Sequence, residues 1–137
     1  MKKIIFILCL LIVFAFTACG NKAEEQEDED KIRDLEFTVV EDKDVPDVIK
    51  QKIEESKMEP FKFSFSDGQY LYIVVGYGEQ PTGGYSIQVK EVYESKDYVV
   101  ILTELLGPSK DDTVTMSLSY PYVVVKTEDL SLPVYYK

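Results

Sequence analysis

Tyr70-Leu71-Tyr72-Ile73-Val74-Val75-Gly76-Tyr77-Gly78-Glu79-Gln80-Pro81-Thr82-Gly83-Gly84-Tyr85-Ser86-Ile87-Gln88-Val89 reads as a strand, a shaped loop and a second strand. Residues 70–75 and 85–89 are rich in β-branched and aromatic side chains, which suit a pleated, half-buried surface. Between them lie Gly76, Gly78, Gly83 and Gly84, which permit backbone angles closed to other residues, and Pro81, which fixes φ and removes a donor. The spacing therefore predicts a loop of set shape in a rigid frame, and loops placed by a sheet are where binding residues concentrate. Tyr85 offers a ring and a hydroxyl to a partner or, as the first residue of a strand, a side chain to the core. The same residues also admit a plain hairpin connection whose glycines only turn the chain.

Upstream, Phe61-Lys62-Phe63-Ser64-Phe65-Ser66 alternates strictly and places three phenylalanines on one face. Asp67-Gly68 is a two-residue hairpin signal, with residues 69–76 as the returning strand. Before these, residues 35–40 fit a first strand, and Asp44-Val45-Pro46-Asp47 reads as a helix start with Asp44 as N-cap. Val45, Val48, Ile49 and Ile53 recur at spacings of three and four, so one amphipathic helix is expected to about Ser56. Its stripe suits covering a sheet better than meeting lipid, because its polar face mixes charges.

Downstream, residues 85–93 and 98–105 read as strands joined by a turn at Glu94-Ser95-Lys96-Asp97. The near-continuous apolar run 98–105 is expected to be buried on both faces. Residues 113–120 alternate again, with Val114, Met116 and Leu118 on one side. Pro121 interrupts that run, which makes the following residues to Lys126 a bent continuation or an edge strand. Leu132, Val134 and Tyr135 supply material for a short final strand. The expected fold is mainly β (α+β): an antiparallel β-sandwich or small partly open barrel of six to seven strands with one amphipathic helix.

The totals narrow the function. At 137 residues there is room for one domain of ~100 residues beyond an export segment. The net charge of −10 becomes still more negative if Lys2 and Lys3 leave with a leader, and an acidic surface repels phosphate, so nucleic acid is not an expected partner. The absence of histidine removes the commonest general base, the usual zinc ligand and every imidazole triad. Cys9 and Cys19 both lie in or at the end of the leader, so the folded part has no thiol for catalysis or a disulfide. No cofactor or metal is expected. Asp111 and Asp112 read as a solvated turn rather than an acid/base pair, and an enzyme is not expected. A tyrosine-lined small-ligand pocket remains an alternative, although a core this small seldom leaves a large cavity.

Met1-Lys2-Lys3 followed by the apolar run 4–16 has the layout of a secretory signal. Phe16-Thr17-Ala18-Cys19 resembles the bacterial lipobox, which implies residues 1–18 as a lipoprotein signal peptide and Cys19 as the lipidated first residue. Two or more acyl chains there supply the double anchor that stable membrane attachment needs. Residues 19–33 hold Glu24, Glu25, Glu27, Asp28, Glu29 and Asp30, a self-repelling acidic tether; a calcium site fits poorly without a loop-forming glycine. The domain is then expected over residues 34–137. The localisation implied is extracytoplasmic, on the outer face of the bacterial cell membrane or on an outer membrane in a two-membrane cell. The bias of fourteen lysines to one arginine hints at an AT-rich genome, favouring the single-membrane case.

Two resemblances bear on the loop. Gly78-Glu79-Gln80-Pro81-Thr82-Gly83-Gly84-Tyr85-Ser86-Ile87 after an apolar strand, with Ser119-Tyr120-Pro121-Tyr122-Val123-Val124-Val125-Lys126 further on, resembles the paired signatures of the PrcB C-terminal domain family over residues 61–126. Members are typically small bacterial lipoproteins or exported proteins, and the family takes its name from an accessory subunit that binds and stabilises a surface protease. The resemblance implies a noncatalytic role binding an exported or surface protease or other envelope protein. Gln80, Pro81, Thr82, Gly83, Gly84, Tyr85, Tyr120, Pro121 and Tyr122 are the candidate partner-binding residues. The tyrosines of Tyr120-Pro121-Tyr122 also suit a purely structural closure of the sandwich. Pro81-Thr82-Gly83-Gly84-Tyr85 is similar, more weakly, to the Asn-Pro-Thr-Thr-Gly-Tyr loop of chagasin-type cysteine-protease inhibitors. Gln80 and Gly83 depart from that pattern, and no Arg-Pro-aromatic loop accompanies it.

Overall fold

A computed structural model describes residues 30–137. Among the described residues the strands are β1 (Lys31–Asp34), β2 (Phe37–Val39), β3 (Pro60–Ser66), β4 (Tyr70–Tyr77), β5 (Ser86–Ser95), β6 (Val99–Leu106), β7 (Tyr122–Glu128) and β8 (Val134–Tyr136), with one α-helix, α1 (Asp47–Ser56). They form two four-stranded sheets, β1-β5-β6-β8 and β2-β7-β4-β3. This is a sandwich rather than a closed barrel, with eight strands where six to seven were expected. Nor is it wholly antiparallel, because β8 runs parallel to β6.

One core lies between the sheets, with Leu71, Ile73 and Val75 of β4 and Val123 and Val125 of β7 facing Leu35, Val92, Val99 and Ile101. A second lies outside the β4 sheet, where Val45, Ile49 and Ile53 cover Tyr72, Val74 and Val124, with Phe61, Phe63 and Phe65 packed alongside. β4 is therefore apolar on both faces, and six consecutive residues from Leu71 to Gly76 are buried. Double burial had been expected of the 98–105 run. In β6 it holds only for Val99, Val100 and Ile101, after which the strand is half-buried or exposed towards its end.

Several local expectations are corrected by the packing. Residues 35–40 do not make one strand. β1 pairs with β5 and β2 with β7, so the chain changes sheets between them. Leu35 drives the change by turning into the inter-sheet core, where its N–H donates to the Val92 carbonyl at 2.9 Å. Ordered pairing thus begins at Lys31, within the stretch read as tether. The helix starts at Asp47 with Pro46, not Asp44, at its N-cap and without a side-chain cap. Val45 precedes the proline and is held extended, which leaves residues 42–44 as a separate 3-10 turn. Val45, Ile49 and Ile53 are buried, whereas Val48 is 55% exposed, so the stripe is narrower than expected.

In the hairpin, Asp67 N–H donates to the Tyr70 carbonyl, so Gly68 and Gln69 are the central pair rather than Asp67 and Gly68. Gly68 takes φ +93°, and Asp67 Oδ1 accepts from the N–H groups of Gln69 (2.9 Å) and Tyr70 (2.7 Å). Those two bonds hold the Asp67 carboxyl below its usual pKa. In β5 the register against β6 shifts between Val89 and Glu91. Strict alternation would send Val89 and Val92 to opposite faces; the bulge lets both reach the inter-sheet core. Finally, β7 is no edge strand. It lies between β2 and β4, and Pro121 sits just before it rather than within it.

Candidate functional site

The strands β3, β5 and β7 begin, and β4 and β6 end, at one end of the sandwich, where residues 78–85 and 107–121 meet. Residues 113–120 were expected to be a strand. They instead cross this end with no ladder of their own and lace onto the first loop. Gln80 and Ser119 exchange backbone bonds (2.8 and 3.0 Å), and Gly83 N–H donates to the Thr115 carbonyl at 2.9 Å. Ser119 Oγ donates to the Thr82 carbonyl at 2.6 Å, and Glu79 N–H donates to the Met58 carbonyl at 3.2 Å. Every second residue of 113–120 is apolar, but the segment meets the other loop rather than a sheet edge, so Val114 is half-buried while Met116 and Leu118 are 84% and 54% exposed.

The glycines make this close lacing possible. A Cβ on Gly83 would stand 2.5 Å from Thr115 Oγ1, and one on Gly84 2.6 Å from Val114 Cγ1 and 3.1 Å from Pro108 Cβ. Gly84 also takes φ +83°. Its neighbour Tyr85 is half-buried, its ring lying on Gly107, and it belongs to neither core.

The structure gathers most of the candidate residues and sets one apart. Pro81 and Gly84 are exposed, while Gln80, Thr82, Gly83 and Tyr85 are half-buried on the same ledge. Gln80 turns its side chain inward, Nε2 donating to the Tyr77 carbonyl at 3.2 Å. Tyr120 sits beside the ledge, with its hydroxyl donating to Glu79 Oε2 at 3.4 Å and the Lys57 ammonium 5.0 Å from its ring centre. Pro121 contributes a carbonyl that accepts from Tyr77 N–H at 3.0 Å. Tyr122, by contrast, packs against the helix-side core, and its hydroxyl donates to Asp42 Oδ1 at 2.7 Å. Burial, and then that bond, push its phenol up to about 12. Cys19 and the acidic run before Asp30 lie outside the described residues.

Sequence reasoning did not single out Met58, Met116 and Leu118 for the site, yet with Leu106 they are exposed apolar side chains around this end. The signal lies in the alternation of 113–120, a segment that meets a loop rather than a sheet. The segments that carry them also hold the exposed acids Glu59, Glu79, Asp111 and Asp112, against the cations Lys57 and Lys110. Asp112 serves the turn, Oδ2 accepting from Ser109 N–H at 2.7 Å. The arrangement has the makings of a protein contact: a preorganised backbone, exposed thioether and aliphatic side chains, and an acidic rim.

The described chain enters at the other end. Lys31 pairs with Ser95, and Lys96 N–H donates to the Asp30 carbonyl at 3.2 Å. β5 spans the distance between the ends, roughly 30 Å at ~3.3 Å per residue.

Residues 71–128, from β4 to β7, match the family described as PrcB C-terminal. The match contains both loops of the ledge and the strands that hold them, while β1 to β3, α1 and β8 lie outside it. No curated protein and no solved structure matches the chain.

Proposed function

We propose that this chain, which carries a PrcB C-terminal region across residues 71–128, is a noncatalytic accessory subunit that binds an exported protease or another envelope protein through the ledge of residues 78–85 and 113–120. The observation that carries the reading is the lacing of those two loops, which fixes a surface with Pro81, Met116 and Leu118 outermost. A surface already ordered loses little conformational entropy on docking, and a buried apolar anchor there is worth ~2 kcal/mol or more when it acts as a hot spot.

In this reading Cys19 is acylated, the chain stands on the outer face of the cell membrane, and residues 20–30 lift the domain from the lipid. Entry of the chain at the far end supports that orientation, since it leaves the ledge facing away from the anchor. The inhibitor alternative requires Thr82 and Gly83 to enter an enzyme cleft. Both are half-buried and bound to residues 115–119, which favours accessory binding.

The test is site-specific photocrosslinking on intact cells, with the probe at Pro81 or Met116 and, for comparison, at Lys96. The ledge probes are expected to capture one dominant exported protein that the Lys96 probe does not. Equal capture from both ends, or none from the ledge, would defeat the reading.

A further inference from the structure

Among the described residues, β3 closes its sheet with nothing paired to its outer edge. The ladder fixes which groups face outward. Tyr77 N–H bonds towards β7 through Pro121, and Asp67 N–H bonds the Tyr70 carbonyl, so Phe61, Phe63, Phe65 and Asp67 are the residues that exchange bonds with β4. The N–H and C=O groups of Lys62, Ser64 and Ser66 therefore point away from it. No backbone bond outside the β3–β4 ladder engages them among the described residues. The pairing with β4 runs through all seven residues without a bulge, and only Pro60, at the very start, lacks an N–H. β1, β2 and β8, the other edge strands, are four, three and three residues long. Edges this long and regular are usually covered, bulged or charged, because they accept another strand.

We propose that β3 pairs antiparallel with β3 of a second copy, about a two-fold axis at Ser64, joining two four-stranded sheets into one. In that register Ser64 faces Ser64 and Lys62 faces Ser66, so each outward N–H and C=O of these residues meets its mate. The side chains agree with it. Ser66 Oγ is hydrogen-bonded to Asp129, so the Lys62 ammonium of one copy arrives beside the Asp129 carboxylate of the other, on both sides of the axis. On the opposite face Phe63 lies across from Phe65, which extends the half-buried phenylalanine layer beneath α1. Charge selects this edge as well. With a net charge of −10 most faces repel a second copy, whereas Lys62 and Lys52, the latter 4.5 Å from the Phe63 ring centre, balance Asp67 and Asp129 along β3. The self-complementary spacing of Lys62 and Ser66 about Ser64 favours a second copy over an unrelated extended segment. The pairing does not depend on what the ledge binds.

Sedimentation velocity of the full-length chain in detergent, from ~1 to ~100 µM, reads the equilibrium directly. A monomer–dimer transition is expected. Ser64→Pro removes an outward N–H, together with the hydroxyl beside Tyr136, and is expected to weaken dimerisation about tenfold or more. Lys62→Glu is expected to weaken it several-fold, with the loss shrinking as salt rises, whereas Lys90→Glu on the other sheet, which changes net charge equally, leaves it unchanged. Circular dichroism melting checks that each variant is folded; should Ser64→Pro unfold, the two lysine variants decide. A monomer at every concentration overturns the proposal, including one that accepts an extended strand from another protein. So does a dimer indifferent to the folded β3 variants, or one weakened equally by Lys90→Glu.

Discussion

At the hairpin end, Gly68 turns the chain with nothing within 4 Å of where a Cβ would stand, and the turn is closed mainly by its own neighbours. Asp67 Oδ1 accepts from Gln69 and Tyr70, and Ser66 Oγ accepts from Gly68, while Asp129 N–H, on the Gln69 carbonyl at 3.4 Å, comes from far along the chain. At the ledge end, Gly83 and Gly84 would each press a Cβ onto the crossing segment, and the backbone bonds run between loops distant in sequence. The first turn needs glycine for its φ; the second pair is needed mainly so that two chains can approach. A turn closed mainly by adjacent side chains has its shape set locally, whereas a laced pair of loops presents a surface whose shape depends on both. That difference locates the candidate site at one end of an otherwise plain sandwich.

The comparison breaks most severely if the shared frame fails. Ile73, fully buried in β4, lies between the two ends, and Ile73→Ala is expected to cost ~2–5 kcal/mol in chemical unfolding, lowering stability without distinguishing the ends. Substituting the ledge glycine sharpens it. Gly84→Ala combines a left-handed φ with contacts at 2.6 and 3.1 Å and should cost ~2–3 kcal/mol, whereas Gly68→Ala pays for φ alone, ~1–2 kcal/mol. Equal costs would mean that the lacing is loose.

A smaller effect is expected from Ser119→Ala. Losing the bond to the Thr82 carbonyl costs ~1 kcal/mol, and the Gln80 and Gly83 amides should exchange faster with solvent while the Asp67 turn is unaffected. The smallest effect is pH-dependent and confined to the hairpin end. Because Asp67 is held below its ordinary value of 3.8 in the folded state, its contribution is complete above that pH. It is lost as pH falls through the lower folded value. Melting temperatures measured down through this range should decline less for Asp67→Asn than for the unaltered chain.

Much of the frame was legible because its residues carry their own period. Phe61, Phe63 and Phe65 alternate onto the helix-covered face, and Val45, Ile49 and Ile53 recur every four residues along the buried side of α1 and its lead-in. What was hidden depended on partners far away in sequence. Apolarity alone does not distinguish residues 71–76 from 98–105, since which is covered twice depends on where the helix docks. The sheet change at Leu35 and the bulge near Lys90 each satisfy a core whose position no local pattern reveals. Residues 113–120 have the alternation of a strand but meet a loop instead of a sheet edge. The same misreading hid Met116 and Leu118 from the site, while the glycines and Pro81 were visible from residue type.

The central claim is that the laced loops grip another protein. Its most direct test is quantitative co-purification, from crosslinked membranes, of the partner captured through Pro81, comparing the unaltered chain with Met116→Glu plus Leu118→Glu. Both side chains are exposed, so melting should stay within about 1 kcal/mol of the unaltered chain while recovery falls at least ~tenfold. Undiminished recovery by the folded double variant would contradict the account.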